Sequence, residues 1–128
     1  MVQHLKLFSI EDIDQTIIVC PHGEGSAFRY QDLHMEANTV RGYLMKPGKR
    51  NLIVDMHNLE YCGSEFIGAL VSMLRETRNR GGTGVFCRAQ PQMMQVLQNM
   101  SLFKLWPHFD SREDAQAAIG ASDGEPAG

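Results

Sequence analysis

The chain has 128 residues, 43% hydrophobic and 21% charged, with a formal net charge of −3. That suits one soluble domain with a real core, and neither a disordered chain nor two full domains. An acidic balance with a pI near 5.9 gives no electrostatic footprint for nucleic acid, and no apolar run approaches the roughly 20 residues a bilayer span needs.

The N-terminus, MVQHLKLFSIEDIDQ, lacks the apolar core and cleavage site of a signal peptide, so a cytoplasmic location is expected. Residues 3–8 and 15–20 read as two short strands with IEDID as the turn between them. The pentad TIIVC is β-branched and nearly all apolar, as in a strand covered on both faces. PHGEGS then has loop chemistry. Leu33, Ala37, Val40 and Leu44 recur on one face of an amphipathic helix, which Pro47-Gly48 ends. The basic cluster Lys46, Lys49, Arg50 is broken by that Pro-Gly and reads as a solvated turn.

NLIVDMH (51–57) is the clearest strand. After it, EYCGSEFIGALVSML opens a helix that runs to about Arg80, where Gly81-Gly82 stops it. Ile67, Leu70 and Leu74 form its core face, flanked by Val71, while Glu65, Ser72, Glu76 and Asn79 lie opposite. Phe66, Ala69 and Met73 fall between the two. They are either the edge of the core or an exposed apolar strip open to a partner. TGVFCRA (83–89) is a further strand, Pro91 suits the first turn of a third helix, and LFKLWPHF is an apolar connection. Ser111 to Asp114 resembles a capping box before a last helix, AQAAI. The expected organisation is a single domain over residues 1–120 and a disordered tail over 121–128. Its fold class is α/β, a mixed sheet of four to five strands with about four helices packed on it.

Ser64 stands at the start of the long helix. As an N-cap its hydroxyl would stabilise the first turn by roughly 1 kcal/mol, and Glu65 complements the helix dipole. A phosphate at the same position would be tolerated by the helix N-terminus, yet would confront a docked protein with a charge of about −2.

No catalytic constellation accompanies it. Cys20 and His22 are residue types that can bind a metal, but they lack a second pair at zinc-finger spacing and read better as a strand-end thiol and a loop imidazole, so no metal or cofactor is expected. Cys62 precedes a helix N-terminus but has no basic neighbour in sequence. Asp55 and His57 share a strand face without a nucleophile and suit loop hydrogen bonds. The three cysteines form no CxxC and are expected as free thiols. The eight methionines, with Met93, Met94 and Met100 on the third helix, suit soft packing. The chain is therefore expected not to be an enzyme.

The order of these features resembles the STAS domain of bacterial anti-anti-sigma factors. That family has a strand ending in Asp, an apolar stretch, Asp-Ser-Ser-Gly opening a helix, a Gly-Gly-type turn and a strand. A helix beginning near Pro follows, then an apolar segment before Phe-Asp-Ser and a last helix. Here the corresponding positions are Asp55, Leu59 and Tyr61, Gly63 to Phe66, Gly81-Gly82, Pro91, Leu102 to Phe109, and Asp110-Ser111. HGEG (22–25) stands at the family's Gly-Glu-Leu-Asp-like loop, whose Asp falls near Ser26. Gly63 replaces the Asp, Glu65 the second Ser, and Phe66 the Gly.

The resemblance implies a binding protein that captures an anti-sigma factor acting also as a serine kinase, and that lets go when Ser64 is phosphorylated. The implied partner footprint is Gly63, Ser64, Glu65, Phe66, Glu24 and Ser26. The alternative is a STAS assembly subunit that binds without phosphorylation through the helix 64–80 surface.

Overall fold

The computed structural model describes residues 2–22 and 30–123. In chain order the elements are β1 (Val2–His4), β2 (Phe8–Ile13), β3 (Thr16–Pro21), α1 (Tyr30–Leu44), β4 (Asn51–Asp55), α2 (Ser64–Asn79), β5 (Gly84–Cys87), α3 (Pro91–Asn99), a 3-10 turn (Leu102–Lys104), β6 (His108–Phe109) and α4 (Arg112–Asp123). The six strands form one sheet in sequential order. β1, β2 and β3 pair antiparallel, and β3, β4, β5 and β6 pair parallel. The sheet is thus mixed, as expected, but has six strands rather than four to five.

The N-terminal half accounts for much of that difference. IEDID is not a turn: most of it belongs to β2, which pairs with β3 along its full length. The reversal is the two-residue turn Asp14-Gln15, with Asp14 at φ 51° in the left-handed region that short hairpins favour. The charges that made IEDID look like a loop meet cations instead, Asp12 pairing with Lys49 and Glu11 with Arg112. The second addition is β6, two residues inside the segment read as a connection. It exists because it pairs with β5: Phe86 N–H donates to Pro107 O (2.9 Å) and Arg88 N–H to Phe109 O (3.0 Å).

Alternation along the strands divides the core. Ile17, Val19, Leu52, Val54 and Phe86 face α1, α2 and α3, whereas Ile18, Ile53, Val85 and Cys87 face α4 through Ala115 and Ile119. In α1, the expected face of Leu33, Ala37, Val40 and Leu44 is buried. In α4, Ser111 Oγ accepts from Asp114 N–H at 3.0 Å, so the N-cap reading holds. The helix runs on to Asp123, and residues 121–123, assigned above to the tail, are helical.

The Gly81-Gly82 stop has the geometry of a Schellman cap. Gly81 has φ 85° and donates to Arg78 O, and Gly82 donates to Thr77 O at 2.9 Å. Gly82 is also a close approach. A Cβ there would lie 1.7 Å from Arg50 O and 2.8 Å from Arg50 C, backbone that leads straight into β4. Gly82→Ala is therefore expected to destabilise the domain by roughly 2–3 kcal/mol through forced backbone displacement, read from the urea midpoint. Gly81→Ala should act through its positive φ alone and cost less, on the order of 1 kcal/mol.

Candidate functional site

Because β3, β4 and β5 are parallel, their C-terminal ends share one edge of the sheet. The segment 56–63 leaves β4 at that edge and leads into α2, so Ser64 is presented there. In open sheets of this kind, the carboxyl ends of the strands are where binding sites form.

Ser64 is exposed, but it is not the cap. Gly63 is the N-cap residue, extended at φ −79° and ψ 176°, and Ser64 is the first residue inside the helix. No side-chain cap bond is made, and the first helical bond runs from Ile67 N–H to Gly63 O at 3.1 Å. The hydroxyl is thus not committed to the helix start, which corrects the capping role expected for it. Glu65 is exposed in the first turn, and Gly63 is half-buried with open space where a Cβ would project.

Phe66 is different. It is fully buried, its ring 5.3 Å from that of Phe8 on β2. Met73 is also fully buried and Ala69 half-buried, so the strip between the two faces of α2 is core and not an exposed band. Phe66 therefore supports the site from beneath and offers a partner no surface. Glu24 and Ser26 lie outside the described residues.

Behind the segment 56–63 is a charged cluster that only the fold assembles. Asp55, at the end of β4, has no solvent exposure. Its Oδ1 accepts from Arg88 Nε (3.0 Å) and from His57 N–H (3.2 Å), with His57 Nδ1 at 3.0 Å. Its Oδ2 accepts from Arg112 Nε (2.7 Å) and from Arg88 Nη2. Arg112 also pairs with Glu11 on β2. Burial by itself would raise the Asp55 carboxyl, but the bonds from Arg88, Arg112 and His57 outweigh it and hold the group at about 2. The hydrogen bond to Asp55 likewise raises Arg88. Burial disfavours the Arg112 cation, yet its bonds to Glu11 and Asp55 raise it on balance.

The Asp55–His57 hydrogen bonds were legible in the sequence. The two arginines were not, because they lie 33 and 57 residues from Asp55 along the chain. One signal was available: a carboxylate ending an apolar strand needs a cation, and Arg88 directly follows another strand. Arg88 takes φ 56°, an unfavourable conformation for a non-glycine residue, and its two bonds to Asp55 hold it there.

The cysteines are packing groups. Cys20 meets His57 Nδ1 (3.6 Å) and Asn58 Nδ2 (3.5 Å) and not His22, whose N–H donates to Leu7 O. Cys20, Asp55 and His57 place donor atoms within 4.8 Å of one another. Arg88 and Arg112 already supply the positive charge at that point, so the donor set does not suit a cation. Burial is the main reason the thiols of Cys62 and Cys87 are pushed up to about 12 and that of Cys20 to about 11. For Cys62 this overrides any help from the nearby helix N-terminus. All three are free and buried. Alkylation without reductant should label the native protein slowly and add three groups once it is unfolded, as mass spectrometry would read.

Residues 9–115 match the STAS domain family. The chain belongs to that family. A Bordetella bronchiseptica relative, BtrV, whose name describes an anti-sigma factor antagonist, is 24% identical over 111 residues, covering 87% of this chain and 92% of BtrV. Among solved STAS folds, a Thermotoga maritima protein superposes with a TM-score of 0.76 at 18% identity, covering 89% of this chain and 95% of that one. The anti-sigma factor antagonist SpoIIAA, in its unphosphorylated form, gives 0.71 at 16% identity over 88% of this chain and 96% of its own. At these identities the superpositions establish the STAS fold. No described helix is long and apolar enough to cross a membrane.

Proposed function

We propose that this STAS domain is an anti-sigma factor antagonist that works by partner exchange. It binds an anti-sigma factor with serine-kinase character through the edge around Ser64, and phosphorylation of Ser64 releases that partner. The observation that carries this reading is the position of Ser64: exposed, first in α2, and not engaged as a cap. A kinase can reach such a hydroxyl, and the helix N-terminus accommodates the resulting anion. The new charge then falls on whatever is docked there. Support also comes from the name of BtrV and from SpoIIAA, solved in both unphosphorylated and phosphorylated forms.

The footprint is Gly63, Ser64 and Glu65, with Phe66 as support, and it extends to Glu24 and Ser26, which lie outside the described residues. The role is binding without catalysis, in the cytoplasm and in control of transcription. The assembly alternative is weakened because Phe66 and Met73, the large side chains it would use, are buried.

Intact mass after incubation with ATP and candidate kinases from the same organism should show one added phosphate, lost in Ser64→Ala. Ser64→Ala should retain partner binding. Ser64→Asp should weaken it by about a hundredfold, roughly 3 kcal/mol, while leaving the fold intact. Unchanged affinity in Ser64→Asp, with no phosphate added by any kinase that binds the chain, would overturn the switch.

A further inference from the structure

His57 Nδ1 lies 3.0 Å from Asp55 Oδ1 and also 3.0 Å from Arg88 Nη2. A single ring nitrogen cannot serve both. When bare it accepts from the guanidinium, and when protonated it donates to the carboxylate and repels Arg88. The charged and titratable groups around the imidazole come from distant parts of the chain. Asp55 at the end of β4, Arg88 just after β5 and Cys20 on β3 meet the ring nitrogen, and Arg112 of α4, paired with Glu11 of β2, reaches it through Asp55. With a neutral imidazole, the two guanidinium charges balance the two carboxylates. Protonation adds a third cation at the crowded point.

His57 is also part of the chain that carries Ser64. Its backbone N–H bonds to Asp55, its carbonyl accepts from Gln90 Nε2 at 2.8 Å, and the ring is about one-third exposed, so protons reach it. We propose that His57 is a proton-operated positioning residue: gaining a proton trades its bond from Arg88 for one to Asp55 and shifts the segment 56–63 that presents Ser64. The trade takes place at one nitrogen between its two nearest partners, with the Cys20 thiol more distant at 3.6 Å. Histidine is also the side chain whose class changes charge in the physiological range. The consequence for partner binding rests on the reading of Ser64 given above, but the proton-driven shift itself does not.

A titration of the isolated, isotope-labelled chain by NMR separates the two. The expected result for the neutral ring is a proton on Nε2, with Nδ1 bare and accepting from Arg88. As the pH is lowered, the amides of residues 56–63 and the Arg88 side chain should shift together with the His57 ring signals. His57→Gln, which offers Arg88 an acceptor but cannot titrate, should keep a folded spectrum and abolish those shifts. His108 is the control, since its Nε2 accepts from Ala89 N–H nearby. His108→Gln should leave the 56–63 response in place. A ring protonated at Nδ1 when neutral would overturn the latch. So would amides of 56–63 that ignore the His57 midpoint, or shifts that persist in His57→Gln. None of these outcomes depends on a kinase or partner, so the Ser64 switch can fail while the latch stands, and the reverse.

Discussion

Asp55→Ala should lower unfolding free energy by about 3 kcal/mol, the lower end of the 3–5 kcal/mol seen when one member of a buried ion pair is removed. The lower end applies because Arg88 and Arg112 keep side-chain exposures of 35% and 26%, so water can partly solvate the stranded guanidiniums. Asp55→Asn, which keeps the volume but loses the charge, should fall in between. The same carboxylate has a pH signature. Its folded value of about 2 lies below the ordinary 3.8, so its stabilisation is fully present above about pH 4 and drains away as pH falls toward 2. The loss over that window should be on the order of 2 kcal/mol, and Asp55→Asn should lack this component. Urea unfolding at a series of acidic pH values would measure both. Equal acid sensitivity in wild type and Asp55→Asn would mean the cluster contributes no net stability through this group.

Phe66→Ala should cost about 3–5 kcal/mol, because a fully buried ring packed on Phe8 leaves a cavity that the helix and sheet cannot close. Partner affinity per folded molecule should fall far less than in Ser64→Asp. A stable Phe66→Ala with lost partner binding would restore the exposed-strip reading of α2. Leu70→Ala, one turn further along α2 in the stripe of Ile67 and Leu74, should cost about 2–5 kcal/mol without touching the site.

What the amino-acid order determined by itself is what periodicity and local chemistry can encode. The face of α1, the central strand read at 51–57 (which the fold ends at Asp55), the stripe Ile67, Leu70, Leu74, the stop at Gly81-Gly82 and the Ser111 cap all follow from interactions within a few residues. So did the presence of Ser64 at the head of α2 and the STAS resemblance, which rests on the spacing of such local features. Tertiary structure decided the rest, because it depends on neighbours distant in sequence. IEDID became a strand because β3 lies alongside it and Lys49 and Arg112 answer its charges. His108–Phe109 became one because β5 offers free bonds at the sheet edge. Phe66 and Met73 went inward because the sheet and its flanking helices close over more of α2 than a single stripe. Ser64 was moved one position into the helix by the extended backbone of Gly63, which itself took the cap position. The Asp55 cluster gathers His57, Arg88 and Arg112, with Glu11 behind, around one carboxylate, and only the assembled fold brings those charges into the same low-dielectric volume where each needs the others.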